Sequence, residues 1–350
     1  MKSRSLWLKA GDKNSSFFHR QCRARISRNH ISEIIDDEGV IIKGQDLLKQ
    51  SASRHFQKLF KDDGCSYDDV SSDFLLNVPS LVSIEDNCDL MKPFSEQEIV
   101  DVIWAMESNK AHGPNGFSIH FYKVWWPIIK SNLLRMIIAF QKKAKMGGCT
   151  NSTFLALIPK DVNPSSFDRF RPISLCNASY KIIAKLLANR LRPLLGKLIS
   201  PLQGGFVKGR QIVDNVIQVQ EVLHSSFIRK EKCMIIKLDM KNAFDLVKLP
   251  FLYEVLHSFG LCSKFVSLIK ACTDKLWIAP LVNGRPTDFF KATRGLRQGC
   301  PLSPFLYILM AETLSRKLLA EKDAGYIPGI KIVRGIDPIN HALFRTILFS

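Results

Sequence analysis

The sequence predicts an α+β fold on the basis of three observations. Short apolar runs at Met234–Leu238 and Phe154–Lys160 have the composition of strands, and the first suits a buried one. The dipeptide Asn283-Gly284 lies between two further strand-like runs, which is a strong signal for an antiparallel hairpin. Longer stretches, such as Trp125–Ala144, repeat apolar residues at helical spacing. A chain of 350 residues, 46% of them hydrophobic, can bury a sizeable core around such elements.

Charge is distributed unevenly along the chain, whose net charge is +18. Residues 1–30 carry eight Lys and Arg against one acidic residue, whereas residues 61–107 carry two against twelve. Residues 108–350 carry thirty-six against fourteen, an excess of +22. This excess is more than solubility requires. It favours a polyanionic partner, chiefly nucleic acid, over a membrane surface or an acidic protein.

The same changes in composition divide the chain into three predicted parts. Residues 1–60 form a basic N-terminal extension, in which Ile31–Ile42 predicts a hairpin and Gln45–Phe60 an amphipathic helix. Residues 61–93 form an acidic linker with little periodicity. Residues 94–350 form the main domain.

The main domain contains signals for both helices and loops. Ser95-Glu-Gln-Glu98 has the form of a capping box that opens a helix. Ser179–Leu198 predicts a buried amphipathic helix with a solvated basic face, and a further helix is expected from Pro304 to about Leu319. Asn109–Phe117 contains Gly, Pro and Asn and predicts a structural loop.

The cysteines and the apolar runs indicate a cellular compartment. Nine cysteines occur at irregular spacing and never as C-x-x-C, which favours reduced thiols over disulfides or a zinc site. No apolar run reaches the length that spans a bilayer, and the N-terminus is basic and polar. We therefore expect an intracellular protein of the nucleus or cytoplasm that does not insert into a membrane.

Two segments carry the residues of chemical interest. In Met234–Lys248 an apolar run ends at Asp239, and Asp245 follows before a helix-like stretch. A carboxylate at the end of a buried strand is costly unless a cation compensates for it, although a surface Asp at a strand end is the simpler interpretation. The second segment, Arg294–Pro304, reads R-G-L-R-Q-G-C-P-L-S-P.

The pattern D-x-x-x-A-F-D, followed by R-Q-G-x-P-L-S-P, resembles motifs A and B of reverse transcriptases. It is most similar to those of plant LINE-type (non-LTR) retrotransposons. The resemblance implies the fingers and palm of a right-hand polymerase, with an antiparallel palm sheet and a helical N-terminal extension. It also implies synthesis of DNA from dNTPs on an RNA template and a DNA primer, with Mg²⁺ as the cofactor.

The resemblance assigns roles to the residues of these two motifs. Asp239 becomes the catalytic, metal-binding carboxylate, and Phe244 the bulky residue beneath the nucleotide sugar. Asp245 is expected to cap the following helix. Gln298 and Gly299 are expected to lie against the nucleotide and the template.

Two basic residues, Lys160 and Arg171, match the fingertip positions that hold the incoming triphosphate. The leaving pyrophosphate gains negative charge, which fixed cations stabilise. Exposed basic residues beside strands are common, so the flanking match carries this assignment.

A glycine-rich basic loop, Q-G-G-F-V-K-G-R-Q-I-V-D-N at 203–215, matches the LINE segment that touches template or primer. Glycines allow the backbone to approach a ligand closely. The residues expected to contact template or primer are Gly205, Lys208, Gly209 and Arg210, together with Arg294 and Arg297.

The pattern breaks near the C-terminus. Where family members read H-x-L-F-A-D-D-T-x-L-F, this chain has the single Arg345 in place of Ala-Asp-Asp. An in-frame loss of two codons, or a splice or gene-model junction, would leave this sequence. Asp337 precedes a proline well before the turn and cannot substitute for the pair. We therefore expect a domain truncated at its catalytic turn and inactive as written. The alternatives are a catalytically dead remnant that still binds RNA or an RNA–DNA hybrid, and a decayed open reading frame without function.

Overall fold

The computed structural model describes residues 16–36, 38–64, 68–230, 234–330 and 338–343, and leaves out the side chains of residues 17, 18, 68–71 and 212. Its helices are α1 (Ser16–Asn29), α2 (Gln45–Leu59), α3 (Asp68–Leu76), α4 (Ile84–Met91), α5 (Glu96–Ala105), α6 (Ile119–Val124), α7 (Trp126–Lys143), α8 (Gly148–Asn151), α9 (Ala178–Leu191), α10 (Leu195–Leu198), α11 (Ile212–Arg229), α12 (Leu249–Ser258), α13 (Ser263–Thr273) and α14 (Ser303–Asp323). Its strands are β1 (Glu33–Ile35), β2 (Ile41–Lys43), β3 (Ser152–Pro159), β4 (Phe170–Cys176), β5 (Leu276–Val282), β6 (Arg285–Pro286) and β7 (Phe290–Ala292).

The chain forms two compact units. The first comprises the described residues up to Phe56, together with Leu155–Ile173 and Ala279–Asp288. The second comprises the described residues of Gln57–Phe154 and Ser174–Ile278 and those from Phe289 onwards.

In the first unit, β1 and β2 form the predicted hairpin. They pair antiparallel, with Ile34 opposite Ile42. The Asn283 side chain accepts a hydrogen bond from the Ile31 N–H (2.8 Å) and donates one to the Ile31 carbonyl (2.9 Å). Asn283 and Gly284 both have positive φ, at 51° and 78°, as the predicted Asn-Gly turn between β5 and β6 requires.

The second unit is built around helix α9, which is buried as the sequence predicts. Most of its residues are inaccessible to solvent, and they belong to one large apolar cluster with α12, α13 and α14. The predicted basic face is solvated only in part, because Lys181, Lys185 and Arg190 are half-buried whereas Arg192 is exposed. Burial lowers the pKa of Lys181, whose ammonium donates to the Ala111 carbonyl (3.0 Å).

The larger sheet has the strand order β4-β3-β5-β6, and β7 also pairs with β5. Strands β6 and β7 both run antiparallel to β5. The mixed fold of helices and sheet is thus confirmed. The division into fingers and palm stays a prediction.

The apolar run Met234–Leu238 does not form the predicted buried strand. Residues 234–240 have no regular structure and are exposed, Met234 at 80% and Leu238 at 74%. A strand needs a neighbour to complete its backbone hydrogen bonds and a layer to cover its side chains. In the described part of the chain, no strand pairs with this run.

The acidic segment 61–93 contains two helices, α3 and α4, in place of an irregular linker. Ser83 and Asp86 form a capping box at the start of α4. Val82 and Leu90 are buried, and the N–H groups of Leu81 and Val82 both donate to the Phe259 carbonyl at 3.0 Å. A few apolar residues therefore suffice to dock this segment, and its described acidic side chains are exposed or half-buried. The three-part division of the chain stays a prediction.

Two further expectations concern membrane insertion and thiols. Across the described ranges, none of the helices is both long enough and apolar enough to cross a bilayer. The seven described cysteines are all free thiols. Cys176, Cys272 and Cys300 are buried, and Cys22, Cys88 and Cys149 are exposed.

Candidate active site

The two sequence motifs lie against each other in the second unit. The turn that follows Asp239 (residues 242–247, the motif A turn) contacts the loop that precedes α14 (residues 294–300, the motif B loop). The Leu296 N–H donates to the Phe244 carbonyl at 2.7 Å, and the Gly295 N–H donates to the Val247 carbonyl at 2.8 Å. Backbone hydrogen bonds thus fix the register between the two motifs.

Gly295 allows this close approach. Its φ is +95°, and a Cβ atom there would lie 2.6 Å from the Asp245 carbonyl oxygen. Any side chain would therefore push the loop away from the turn and would also strain the backbone. The glycine is required by the contact between the motifs.

A side-chain contact links the same two segments. Asp245 is 2% exposed, and the Gln298 side-chain amide donates to both of its carboxylate oxygens, at 2.9 and 3.0 Å. Helix α12 has Lys248 at its N-cap and no side-chain cap, so the prediction that Asp245 caps this helix is wrong. The carboxylate positions Gln298 instead.

Phe244 is held by a residue that the sequence analysis missed. Its ring is 5% exposed and stacks on Tyr307 of α14, with centroids 4.8 Å apart and planes 16° from parallel. Burial raises the pKa of Tyr307, and the nearby charge of Asp239 raises it further. Phe244, Tyr307 and Asp239 thus lie close together. An apolar position in a helix does not reveal such a ring stack in advance.

Lys160 and Arg171 lie in the first unit, beside the connection between β3 and β4. Lys160 is exposed, its N–H donates to the Arg169 carbonyl at 2.8 Å, and its ammonium donates to the Asp168 carbonyl at 2.9 Å. Arg171 is half-buried on β4. Two cations therefore flank one connection.

The two basic residues of the glycine-rich loop have different surroundings. Lys208 is exposed, next to Gly209 with φ +84°, while Gly205 is buried. The Arg210 guanidinium donates to the carbonyls of Ile199 (2.9 Å), Gln203 (3.1 Å) and Ser200. In this structure Arg210 holds the loop, and Lys208 is the cation presented to solvent.

The two arginines of the motif B loop are likewise engaged inside the fold. Arg294 donates to the Leu59 carbonyl at 2.9 Å and lies 3.4 Å from the Asp63 carboxylate. Arg297 is only 4% exposed, and its guanidinium bonds to Asn151. Since Nε and Nη1 are buried as well, the charged group of Arg297 is enclosed by the protein and is not presented to template or primer. Sequence cannot distinguish such arginines from exposed ones.

A buried polar network on α14 was also missed. Glu312 is fully buried and accepts hydrogen bonds from the Ser200 N–H (3.0 Å) and hydroxyl (3.1 Å). Arg316 lies 3.1 Å from the same carboxylate. Burial raises the pKa of Glu312. On the same helix, Ser315 is 2.7 Å from His341 Nε2, so the network reaches the described tail at 338–343.

The metal site implied by the resemblance is incomplete in the described residues, which contain no group of three His, Cys, Asp or Glu able to hold an ion. Among the described residues of the two motifs, Asp239 is the candidate ligand, because the Asp245 carboxylate is buried against Gln298. Asp337 and Arg345 lie outside the described residues. The described residues do not by themselves complete a two-metal centre.

Comparison with known proteins decides the family. The family model described as reverse transcriptase (RNA-dependent DNA polymerase) matches residues 158–340, more than half of the chain. This chain is a member of the reverse transcriptase family. The match includes Lys160, Arg171 and Asp239 together with both contacting segments.

Relatives of this reverse transcriptase domain come from non-LTR retrotransposons. It is 28% identical over 312 residues to an uncharacterised 149 kDa protein of transposon TX1 from Xenopus laevis, a match covering 89% of this chain and 24% of that protein. It is 31% identical over 164 residues to the Pol polyprotein of the type-2 retrotransposable element R2DM from Drosophila melanogaster, covering 47% and 15%. It is 28% identical over 243 residues to a probable RNA-directed DNA polymerase from transposon BS of the same fly, covering 64% and 25%. The chain thus spans a quarter or less of the length of these relatives.

Proposed function

We propose that this reverse transcriptase domain binds RNA or an RNA–DNA hybrid and does not extend a primer as written. Its lineage is that of a plant LINE-type element that has lost its catalytic Asp pair. The observation that supports this proposal is the contact between the motif A turn and the motif B loop. Its hydrogen bonds hold the two motifs in a fixed position relative to each other. The +22 excess over residues 108–350 supplies the attraction for a polyanion.

Individual residues receive roles in binding. Lys160 and Arg171 contact the triphosphate of a dNTP, and Phe244 lies beneath its sugar. Gln298 and Gly299 contact the nucleotide and template. Lys208, with the backbone at Gly205 and Gly209, contacts template or primer phosphates, since phosphate contacts position a nucleic acid without reading its sequence.

The proposed inactivity follows from the ligands that divalent ions require. Mg²⁺ prefers near-octahedral oxygen coordination. Asp239 supplies one carboxylate, whereas Arg345 stands where the resemblance expects two more. A guanidinium donates hydrogen bonds only and repels cations. No catalytic step is therefore assigned to this chain.

Binding and synthesis are tested by separate experiments. Titration with single-stranded RNA and with an RNA–DNA hybrid at several salt concentrations should show affinity that falls steeply with salt and varies little with sequence. Affinity independent of salt would contradict the polyanion assignment. An insoluble product would favour the decayed reading frame.

Primer extension tests inactivity. The unmodified chain should extend no primer above background, and replacement of Arg345 by Ala-Asp-Asp should restore synthesis. Robust synthesis by the unmodified chain that Asp239→Ala abolishes would show that another carboxylate completes the site.

A further inference from the structure

Arg297 occupies an unusual position for a charged residue of a nucleic-acid-binding loop. It is 4% exposed, and its guanidinium carbon lies 4.0 Å from the centroid of the Tyr180 ring. One nitrogen, Nη2, donates to the Asn151 carbonyl and, at 2.6 Å, to the Asn151 side-chain oxygen. In the parts of the chain that the structure describes, Nε and Nη1 have no hydrogen-bond partner.

The surroundings of Arg297 are neutral. Burial raises the pKa of Tyr180 and of the Cys176 and Cys272 thiols, so these groups remain protonated. No carboxylate among the described residues pairs with the guanidinium, which keeps its charge at any physiological pH. Among the described residues, the cation is thus held by the face of the Tyr180 ring and by the two oxygens of Asn151.

The groups that hold Arg297 are themselves fixed by neighbouring elements. Asn151, the last residue of α8, donates from its side-chain nitrogen to the Asp274 carbonyl at 2.9 Å, just beyond α13. The Tyr180 hydroxyl donates to the Cys272 carbonyl at 3.2 Å and lies 3.3 Å from the Cys300 sulfur, at the other end of the motif B loop. The anchor therefore connects the loop to the ends of α8 and α13 and to α9.

We propose that Arg297 is a positioning residue, which holds the motif B loop from its buried side so that Gln298 meets Asp245. Burying an arginine without a counter-charge is costly, and truncating the side chain would free the loop from its anchor. This inference concerns the same site as the proposed function, and it rests on that function for the identity of the bound ligand. It replaces the expectation that Arg297 contacts template or primer.

Hydrogen exchange tests the anchor without any nucleic acid. It is measured on the chain with Arg345 left in place and compared with variants at Arg297. Arg297→Met should accelerate exchange in peptides that cover 294–300 at least tenfold, because the Gly295 and Leu296 N–H groups lose their partners in the motif A turn. Peptides from α12 should remain within twofold. Arg297→Lys retains the charge but not the geometry of the guanidinium, and it should not restore protection. Equal acceleration throughout the second unit, or unchanged exchange in the loop, would overturn the proposal.

A second variant covers the case in which Arg297→Met fails to fold. Asn151→Ala leaves the arginine in place and removes the side-chain oxygen that holds it, so the same loop peptides should exchange faster. Unchanged exchange in these peptides would overturn the proposal. If Arg297→Met does fold, exchange in the double variant should be little faster than with either change alone, since both break one connection. Additive effects would show that the two residues act separately and would contradict the anchor.

The salt dependence of RNA binding separates positioning from direct contact. Removing one phosphate contact reduces the slope of log K against log salt by about 0.7 to 0.9. Lys208→Gln, at an exposed cation, should show this reduction, whereas Arg297→Met should leave the slope unchanged. A reduced slope for Arg297→Met would make it a direct contact. If the parent chain binds no RNA, the proposed function fails, and hydrogen exchange still decides the role of Arg297.

Discussion

At the scale of single residues, partners rather than residue type decide what a charged or aromatic side chain does. Arg210, Arg294 and Arg297 share one chemistry, yet all three bond to backbone carbonyls inside the second unit. Lys208 is the cation of the glycine-rich loop that faces solvent. Which cation meets a phosphate therefore depends on packing that a motif does not encode.

Phe244 should control the choice between deoxyribonucleotides and ribonucleotides. In a chain with Arg345 replaced by Ala-Asp-Asp, Phe244→Ala should lower the ratio of dNTP to rNTP incorporation by about tenfold or more. The reason is that the phenyl ring of the parent collides with a 2′-hydroxyl, and the variant lacks this ring. The ring is also buried on Tyr307, so the variant should lose about 3 kcal/mol or more of unfolding free energy.

Tyr307→Leu provides the control for that experiment. It removes the same ring stack and lowers stability, but it leaves the Phe244 side chain in place. Discrimination should therefore stay near the parent value. If both variants lose it equally, general loosening of the site rather than the bulk of Phe244 explains the effect.

His341 should make stability depend on pH. Burial lowers its pKa to about 4 from an ordinary 6.5, and the charge of Lys322 acts in the same direction. The folded state thus favours the neutral ring, so this contribution is fully present above pH 6.5 and is lost as the pH falls towards 4. Because the ring is partly solvated, we expect a loss of about 1–2 kcal/mol.

Urea unfolding of the parent and of His341→Gln between pH 4 and pH 7 measures this contribution. The parent should lose more stability over the interval, since both proteins share every other titrating group. Parallel curves would mean that His341 titrates normally in the folded chain.

At the scale of elements, the structure confirms what local pattern alone can specify. The hairpin β1–β2, the Asn-Gly turn after β5 and the helices α2, α7, α12 and α14 were all predicted, since their apolar spacing and turn residues act locally. The run Met234–Leu238 was not predicted correctly, because a strand depends on a neighbour elsewhere in the chain. The helices of the acidic segment were missed because they are short, at nine and eight residues, and lie among Asp, Ser and Pro residues that are typical of loops.

The loop predicted at residues 109–117 should be sensitive to a single methyl group. A Cβ atom on Gly113 would lie 2.6 Å from the Cys176 carbonyl carbon and would collide with the Asn177 backbone. Asn177 is itself fully buried, and its side-chain oxygen accepts from the Asn115 N–H at 3.0 Å. Gly113→Ala should therefore cost about 3 kcal/mol or more.

Gly147→Ala is the matched control, and thermal or urea unfolding is the measurement. Gly147 has φ −66° and nothing within 4 Å of an added Cβ. The unfolding free energy of Gly147→Ala should differ from that of the parent by less than about 1 kcal/mol. Similar losses in the two variants would contradict the close packing of the loop against Asn177.

At the scale of the whole molecule, the second unit combines a large core with a set of uncovered apolar side chains. Residues 234–240 are exposed, and so are Val213, Leu223 and Phe227 on α11. Exposed apolar surface of this kind marks either an interaction site or a tendency to aggregate. None of the described residues 234–240 belongs to the core cluster around α9.

The double variant Ile236→Ser with Leu238→Ser tests the exposure of this run. Both side chains are solvated, at 67% and 74%, so the unfolding free energy should change by less than about 1 kcal/mol and aggregation should decrease. The control Leu252→Ser, at a fully buried position on α12, should cost at least about 3 kcal/mol. A loss as large in the double variant would mean that the run is a buried strand in solution.

The close-packed glycines have a consequence for how the second unit can vary in sequence. Gly113, Gly260 and Gly295 each stand where a Cβ atom would lie 2.6 Å or less from a neighbouring atom. Gly260 and Gly295 also have φ of +92° and +95°, a backbone conformation that strains any residue with a side chain. A substitution at any of the three therefore requires a shift of the atoms that the glycine meets.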